Sequence, residues 1–236
     1  MNVEQQQKVR EIFEKFLRNR IVTIRRLSIA DLNINPFLVR LLAKQQGLDD
    51  PRSIVVWLLS QRLERGTVTS AGNILQAIAK LFAEGSGVEG ADLLKTKRGR
   101  HYHIKLKSGP NTVDKDACEY ISKKLRSAQR RDPGSITVFG MAYGNPEQIS
   151  SIVSSYLDAD QKFIGAGFWD FVADDPDCMR EIYQIAGEVG EKYRDKRGQT
   201  LGEVLELKLE ELVVEFESVY GKGGSEIWNN LFKHNS

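Results

Sequence analysis

The chain has 236 residues, of which 41% are hydrophobic and 28% charged, and its formal net charge is +2. This composition is typical of a soluble globular protein, and no apolar run approaches the roughly 20 residues of a membrane-spanning helix. The N-terminus lacks the basic and apolar regions of a secretory signal, and Cys118 and Cys178 have no spacing partner. We therefore expect a cytoplasmic protein with reduced cysteines, no zinc cluster and no membrane contact. Its length favours a single domain, 1–236.

A helical N-terminal region is predicted over residues 1–70. Apolar residues at helical spacing predict a helix over residues 3–17, and Pro36 at a first helical position predicts a second helix that Gly47 ends. Two more helices are predicted over residues 53–65 and 70–84, separated by small and polar residues.

The apolar period changes in residues 71–175, where we place the core of the domain. Residues 90–96 and 101–107 predict a hairpin around Lys97-Arg-Gly-Arg, and residues 112–131 predict an amphipathic helix. Residues 136–142 have the length of a buried strand, and a last short strand is predicted near Phe163. Residues 176–236 predict C-terminal helices. The order indicates an α/β fold with a central mixed sheet flanked by helices.

Charge is distributed unevenly along the chain. Residues 95–131 contain twelve Lys or Arg and three Asp or Glu, whereas residues 203–217 contain six Glu and one Lys. A basic stretch alone is usually a solvated face. Beside a possible phosphodiester site, this one favours a surface that contacts phosphates.

Asp92 and Lys107 form the chemical pattern that we consider most informative. Asp92 begins one predicted strand and Lys107 ends the next, so both side chains can meet at one edge of a sheet. The Asp92 carboxylate and the Leu106 carbonyl are hard oxygen ligands suited to Mg²⁺, which polarises a phosphate and activates water. Lys107 would then orient the water or stabilise developing charge. By itself this spacing is a weak signal that occurs by chance in many proteins, and a structural ion pair explains it more readily than a catalytic site.

The segment Lys107-Ser-Gly-Pro-Asn-Thr112, followed by a basic helix, resembles the core of PD-(D/E)XK nucleases, and specifically of type II restriction endonucleases. Its form is similar to a subgroup that cuts interrupted palindromes around a GGNCC core. Three other segments resemble this subgroup in the expected order, at residues 33–37, 138–145 and 165–170.

The resemblance implies a restriction-endonuclease-like fold and a Mg²⁺-dependent enzyme that cuts double-stranded DNA at palindromic sites. It makes Asp92 the metal-binding aspartate and Lys107 the catalytic lysine, with the Leu106 carbonyl as a further ligand. Glu89 is a candidate second acid or a hairpin cap, and Glu84 and Gln76 are weaker candidates for a polar ligand. A palindromic site matches two-fold symmetry, so a homodimer is expected.

Lys105 departs from the family pattern, which has Glu, Asp or Gln two residues before the catalytic lysine. An ammonium group here opposes metal binding by charge. Three explanations remain open: the position tolerates a non-acid while Glu89 compensates, Lys105 turns away and binds phosphate, or the chain is an inactivated variant.

Residues after the catalytic strand and on the following helix are the expected DNA contacts: Ser108, Asn111, Thr112, Lys115, Lys123 and Arg126. Two other functions remain open, a repair or recombination nuclease of the same fold and a DNA-binding module without cleavage. For His101, His103, Trp57 and the Phe168–Trp169 pair, we expect surface or core roles rather than catalysis or base stacking.

Overall fold

The structure, a computed structural model, describes residues 1–86, 88–110 and 113–235. The α-helices of this part of the chain are α1 (Val3–Arg26), α2 (Pro36–Gln46), α3 (Pro51–Lys80), α4 (Lys115–Arg131), α5 (Ser151–Tyr156), α6 (Ala166–Ala173), α7 (Cys178–Lys192), α8 (Leu201–Tyr220) and α9 (Gly224–His234). The strands are β1 (Leu93–Lys97), β2 (Arg100–Lys107), β3 (Ile136–Met141) and β4 (Gln161–Ile164).

The four strands form one mixed sheet in the order β1-β2-β3-β4. Strands β1 and β2 are an antiparallel hairpin, closed by Arg98 and Gly99 with φ of 50° and 74°, as in the tight turns that match strand twist. Strands β3 and β4 continue in parallel, and α4 provides the crossover that a parallel pairing requires. A bridge between Gly85 and Leu94 continues the pairing beyond β1. The predicted fold class is confirmed.

One face of the sheet packs on α4 and α5. Phe139 and Met141 of β3 belong to a buried cluster that includes Ile121 of α4. Lys105 is in register with Phe139, and Lys107 with Met141. Because neighbours in register point to the same side of a sheet, both lysines lie on the α4 face.

The opposite face packs on α6 through the glycine- and aromatic-rich segment at its start. A side chain at Gly140 would lie 2.7 Å from the ring of Phe168, so the close packing of helix on strand requires glycine. The buried Trp169 Nε1–H donates to the Ala142 carbonyl at 2.7 Å. Gly165 begins the helix with φ of 55°, and a Cβ there would lie 2.1 Å from the Gly144 oxygen. This segment therefore fixes α6 against the end of β3.

Two compact units divide the chain. One comprises Met1–Glu14 and Ala71–Glu191 and contains the sheet. The other comprises Lys15–Ser70 and Lys192–Ser236 and is helical, with a core of residues from α2, α3, α8 and α9. The partly buried Trp57 packs against that core. The single domain remains a prediction.

Helix α2 has the ends that its sequence predicts. Asn35 caps it by accepting a hydrogen bond from the Leu38 N–H, Pro36 is its first residue, and Gly47 ends it with φ of 65°. These are the residue types that favour each position, because proline lacks the N–H that a first turn leaves unpaired and glycine tolerates a left-handed backbone.

The prediction of two helices over residues 53–65 and 70–84 is wrong, since α3 is one continuous helix of 30 residues. The hydroxyls of Thr67, Thr69 and Ser70 donate to carbonyls four residues earlier. Each hydroxyl is thereby satisfied inside the helix, so this small, polar stretch does not interrupt it. Helix α1 also extends past the predicted end at residue 17.

Both cysteines are free and buried, as predicted. Burial raises the pKa of Cys178 to about 12, which keeps this thiol protonated and inert at neutral pH. Across the described ranges, no helix combines the length and apolar character needed to cross a membrane.

Candidate functional site

Asp92 and Lys105 form an ion pair at the start of the hairpin. The Asp92 Oδ1 atom lies 2.7 Å from Lys105 Nζ, and their side chains are 15% and 20% exposed. The Asp92 N–H donates to the Ile104 carbonyl at 2.8 Å, which fixes the aspartate beside β2. Gly90 permits the preceding turn, since its φ is 111° and a Cβ would lie 2.5 Å from the Lys124 carbonyl oxygen. The carboxylate is held against a strand with an ammonium as its partner.

Leu106 and Lys107 lie at the end of β2, beside this pair. The Ala142 N–H donates to the Lys107 carbonyl at 2.9 Å, so the main chain of Lys107 faces β3. Alternate residues direct their main-chain groups to opposite neighbours, so the N–H and carbonyl of Leu106 point to the β1 side. There the Leu106 N–H donates to Asp92 Oδ2 at 2.9 Å. Both oxygens of the carboxylate are therefore engaged.

The Lys107 ammonium makes no hydrogen bond or ion pair with any described residue. Its side chain is partly buried on the α4 face, next in register to Met141. A partly buried ammonium without a protein acceptor retains its donors for an anion. The two lysines thus differ: Lys105 neutralises Asp92, and Lys107 remains available.

Glu89 lies in the segment before Asp92 and turns toward α4. Its carboxylate lies 2.8 Å from Arg131 and 4.0 Å from Lys124, and its side chain is 71% exposed. The Arg131 guanidinium also donates to the Glu89 carbonyl at 3.1 Å. These contacts join the loop to the last turns of the basic helix. The role of Glu89 as a second acid remains a prediction.

Glu84 and Gln76, the weaker candidates, occupy different surroundings. Glu84 accepts hydrogen bonds from the Thr96 hydroxyl at 2.6 Å and the Thr96 N–H at 3.1 Å. The hydrogen bond from the hydroxyl contributes most to lowering the pKa of Glu84, and the one from the N–H lowers it further. Both bonds hold Glu84 against the second half of β1. Gln76 lies one helical turn after Gly72 on α3, where a Cβ at Gly72 would touch the Ser108 side chain at 3.7 Å.

The predicted DNA contacts differ in how free they are. Ser108 follows β2, and its carbonyl accepts from the Tyr143 N–H at 3.0 Å. On α4, the Lys115 ammonium lies 4.7 Å above the ring of Tyr156, and Arg126 Nε donates to Asp158 at 2.6 Å. Lys123 is exposed. The other two predicted contacts, at positions 111 and 112, lie outside the described residues.

A cluster of two histidines and Asp132, which sequence reasoning did not identify, holds the middle of β2 to the end of α4. His101 Nδ1 and His103 Nε2 each lie 2.8 Å from Asp132 Oδ2. The hydrogen bond with His103, then that with His101, lowers the pKa of the Asp132 carboxyl. His103 is 1% exposed, and its Nδ1 has no partner among the residues that the structure places. The cluster fixes the strand that carries Lys105 and Lys107.

The donor set at Asp92 matches a divalent ion in ligand type but not in charge. The Asp92 carboxylate and the Leu106 carbonyl are hard oxygens on one side of β2, as Mg²⁺ prefers. However, Lys105 occupies the carboxylate oxygen that a metal would use, and Glu89 pairs with basic residues. Within the described ranges, no three acidic, histidine or cysteine side chains converge on a possible metal position. With Lys105 paired to Asp92, these residues do not fit a bound divalent ion.

Comparison with known proteins places the chain in a family. Residues 3–195 match the family model described as Type II restriction endonuclease EcoO109I. This match covers the hairpin with Asp92 and Lys107, the basic helix α4 and the segment around Trp169. No curated protein matches the chain. Because the family model spans well over half of the sequence, the chain belongs to the EcoO109I family of type II restriction endonucleases.

Proposed function

We propose that this protein is a site-specific endonuclease that makes double-strand cuts in palindromic DNA through a PD-(D/E)XK site. The observation that carries the proposal is the placement of Asp92 and Lys107 at one end of adjacent strands, in a chain of a restriction endonuclease family. A carboxylate and an unpaired ammonium on one sheet edge suit attack of water on a phosphodiester. The carboxylate can hold a cation beside the phosphate, and the ammonium can stabilise the negative charge that develops during the attack.

Each residue has a distinct proposed role. The Lys107 ammonium, which has no acceptor in the described chain, orients the attacking water or contacts a phosphate oxygen. Asp92, with the Leu106 carbonyl and Glu89, is the proposed ligand set for Mg²⁺. When bound, the ion would supply charge neutralisation and a more acidic water. This set becomes available only when the Lys105 ammonium leaves the Asp92 carboxylate and the Glu89 carboxylate leaves Arg131.

The proposed DNA surface includes Ser108 and the α4 residues Lys115, Lys123 and Arg126, together with Asn111 and Thr112. Lys115 and Arg126 already contact Tyr156 and Asp158, so their binding to phosphates requires exchange of those surface contacts. Exposed cation–π contacts and exposed ion pairs are both weak, which makes such an exchange feasible.

The proposed assembly is a homodimer, because a palindrome presents the same half-site twice about a two-fold axis. We place the protein in the cytoplasm, where double-stranded DNA is accessible and where its two buried free thiols stay reduced.

A second candidate function is specific DNA binding without cleavage. The Lys105–Asp92 ion pair favours it, because an ammonium 2.7 Å from the carboxylate opposes the metal on which hydrolysis depends. A repair or recombination nuclease of the same fold is the further alternative, and it would cut branched or nicked substrates.

Digestion of a sequenced plasmid in Mg²⁺ tests these functions. The native chain is compared with Lys105→Glu, Lys105→Gln and Lys107→Met, each first shown to be folded by circular dichroism. We expect defined fragment ends from the native chain or from at least one of the two Lys105 variants, and no cleavage by Lys107→Met. Defined ends from Lys105→Glu alone would support the DNA-binding function for the native chain. Cleavage of branched DNA without discrete plasmid fragments would support the repair nuclease. Absence of cleavage by the native chain and by both Lys105 variants, all of them folded, would refute the endonuclease.

A further inference from the structure

We propose that the Lys105 ammonium is the built-in cation of this site, and that it lets the site accept a DNA phosphate without a divalent metal ion. The inference rests on the proposed DNA-binding function. It concerns DNA binding rather than cleavage, so this inference and the proposed endonuclease activity can fail separately.

The geometry of the pair carries the first step. Lys105 Nζ lies 2.7 Å from Asp92 Oδ1, while the second oxygen accepts the Leu106 N–H at 2.9 Å. The carboxylate therefore has both a positive partner and a main-chain donor. A metal ion at Asp92 would have to displace the ammonium, whereas a phosphate would meet a carboxylate that is already neutralised.

The charge balance carries the second step. Asp92, Lys105 and Lys107 comprise one carboxylate and two ammonium groups, a net charge of +1. A glutamate at position 105 would give the same three positions a net charge of −1. The first arrangement attracts a phosphodiester, and the second repels it until a cation binds. Substitution at one position thus changes the sign of the charge that faces DNA.

Partial burial of these side chains strengthens the effect of the charge change on DNA binding. The side chains of Asp92 and Lys105 are 15% and 20% exposed, so water and salt screen them less than surface charges. Lys107 lies on the same face of β2 and has no acceptor within the described part of the chain. It can therefore contact the phosphate while Lys105 stays with Asp92.

The test measures DNA affinity with and without a divalent ion, using fluorescence anisotropy of a labelled duplex from a plasmid region that the protein protects. The native chain, Lys105→Glu and Lys105→Gln are each titrated in EDTA and in Ca²⁺ at constant ionic strength. Lys192→Glu is the matched control, because it changes the net charge equally at an exposed position of α7.

We expect the native chain and Lys192→Glu to bind with Kd values that differ less than about threefold between EDTA and Ca²⁺. Lys105→Glu should bind DNA at least about tenfold more weakly in EDTA and recover its affinity in Ca²⁺. Reversal of a charge near a phosphate changes the binding free energy by more than the roughly 1.4 kcal/mol that corresponds to a tenfold change in Kd. Lys105→Gln should lie between them. Calorimetric titration of Ca²⁺ into the DNA-free proteins should show tighter binding for Lys105→Glu than for the native chain.

Three results would overturn the inference: a native chain that requires Ca²⁺ for tight binding, a Lys105→Glu variant that binds equally well in EDTA, or no binding of duplex DNA under any condition. Metal-independent binding without cleavage by any variant would leave the inference standing and refute the endonuclease. Cleavage combined with metal-dependent binding by the native chain would refute the inference and leave the endonuclease standing.

Discussion

The Asp92–Lys105 ion pair should contribute measurably to stability, and a double-mutant cycle isolates that contribution. The variants are Asp92→Asn, Lys105→Gln and the double variant. Asparagine keeps an oxygen that accepts the Leu106 N–H, so the first substitution removes the charge with little change in shape. Unit charges about 4 Å apart interact by roughly 4 kcal/mol at an effective dielectric of about 20. Desolvation of both groups offsets part of this, which leaves an expected coupling of about 1–3 kcal/mol.

Urea unfolding, followed by circular dichroism, gives the free energy of unfolding of each variant. The exposed pair of Arg126 and Asp158, whose side chains are 60% and 55% exposed, is the control in the same unit. Its coupling should not exceed about 1 kcal/mol and should fall as salt is added, whereas that of the partly buried pair should persist. A coupling of Asp92 and Lys105 below that of the control would refute the reasoning that Lys105 neutralises the carboxylate.

Three other predictions concern the framework of the site. Gly165→Ala should destabilise the protein by about 2–4 kcal/mol in urea unfolding, because its φ is 55° and a Cβ would lie 2.1 Å from a carbonyl oxygen. Gly167→Ala is the control and should be neutral or slightly stabilising, since nothing lies within 4 Å of a Cβ there. Trp169→Phe should cost about 1–3 kcal/mol, since it leaves a buried carbonyl without its donor, and an unchanged unfolding midpoint would contradict this. The pKa of Asp132 is lowered in the folded state, so the stability that its carboxylate contributes is present above the ordinary carboxyl pKa and is lost as pH falls through the folded value. In thermal melts below about pH 4, Asp132→Asn should therefore lose less stability on acidification than the native chain does. Parallel pH profiles of the two proteins would contradict the pairing of Asp132 with the histidines.

Local patterns predicted most of the sheet and the ends of α2, but they did not predict the short helix α5. The hairpin around Arg98 and Gly99, the buried strand after residue 135 and the ends of α2 all follow from residues within a few positions of each other. The unbroken α3 did not follow from such patterns. Serine, threonine and glycine favour turns when they cluster. Within the continuous helix α3, the hydroxyls of Thr67 and Ser70 instead donate to carbonyls four residues earlier.

The site was partly predictable for the same reason. Side chains two positions apart on a strand share a face, so a strand over residues 101–107 places Lys105 beside Lys107. The family pattern identified Lys105 as unusual. Its partner was not predictable, because a flexible side chain can point toward a carboxylate or away from it. The pairing of Asp132 with two histidines was also missed, since it joins residues about thirty positions apart through the crossover helix.

The outer strands of the sheet have a consequence for handling the protein in concentrated solution. An exposed strand edge is a template for pairing between molecules, which leads to aggregation. Strand β4 is only four residues long. The outer edge of β1 is already paired at Leu94 with Glu84 and Gly85, and β1 also carries Lys95 and Lys97, both held by Asp174. Short edges and edge lysines are known obstacles to intermolecular pairing. Neutralising Asp174 would release both lysines without exposing an apolar edge, so colloidal stability should depend more on the lysines than on their carboxylate.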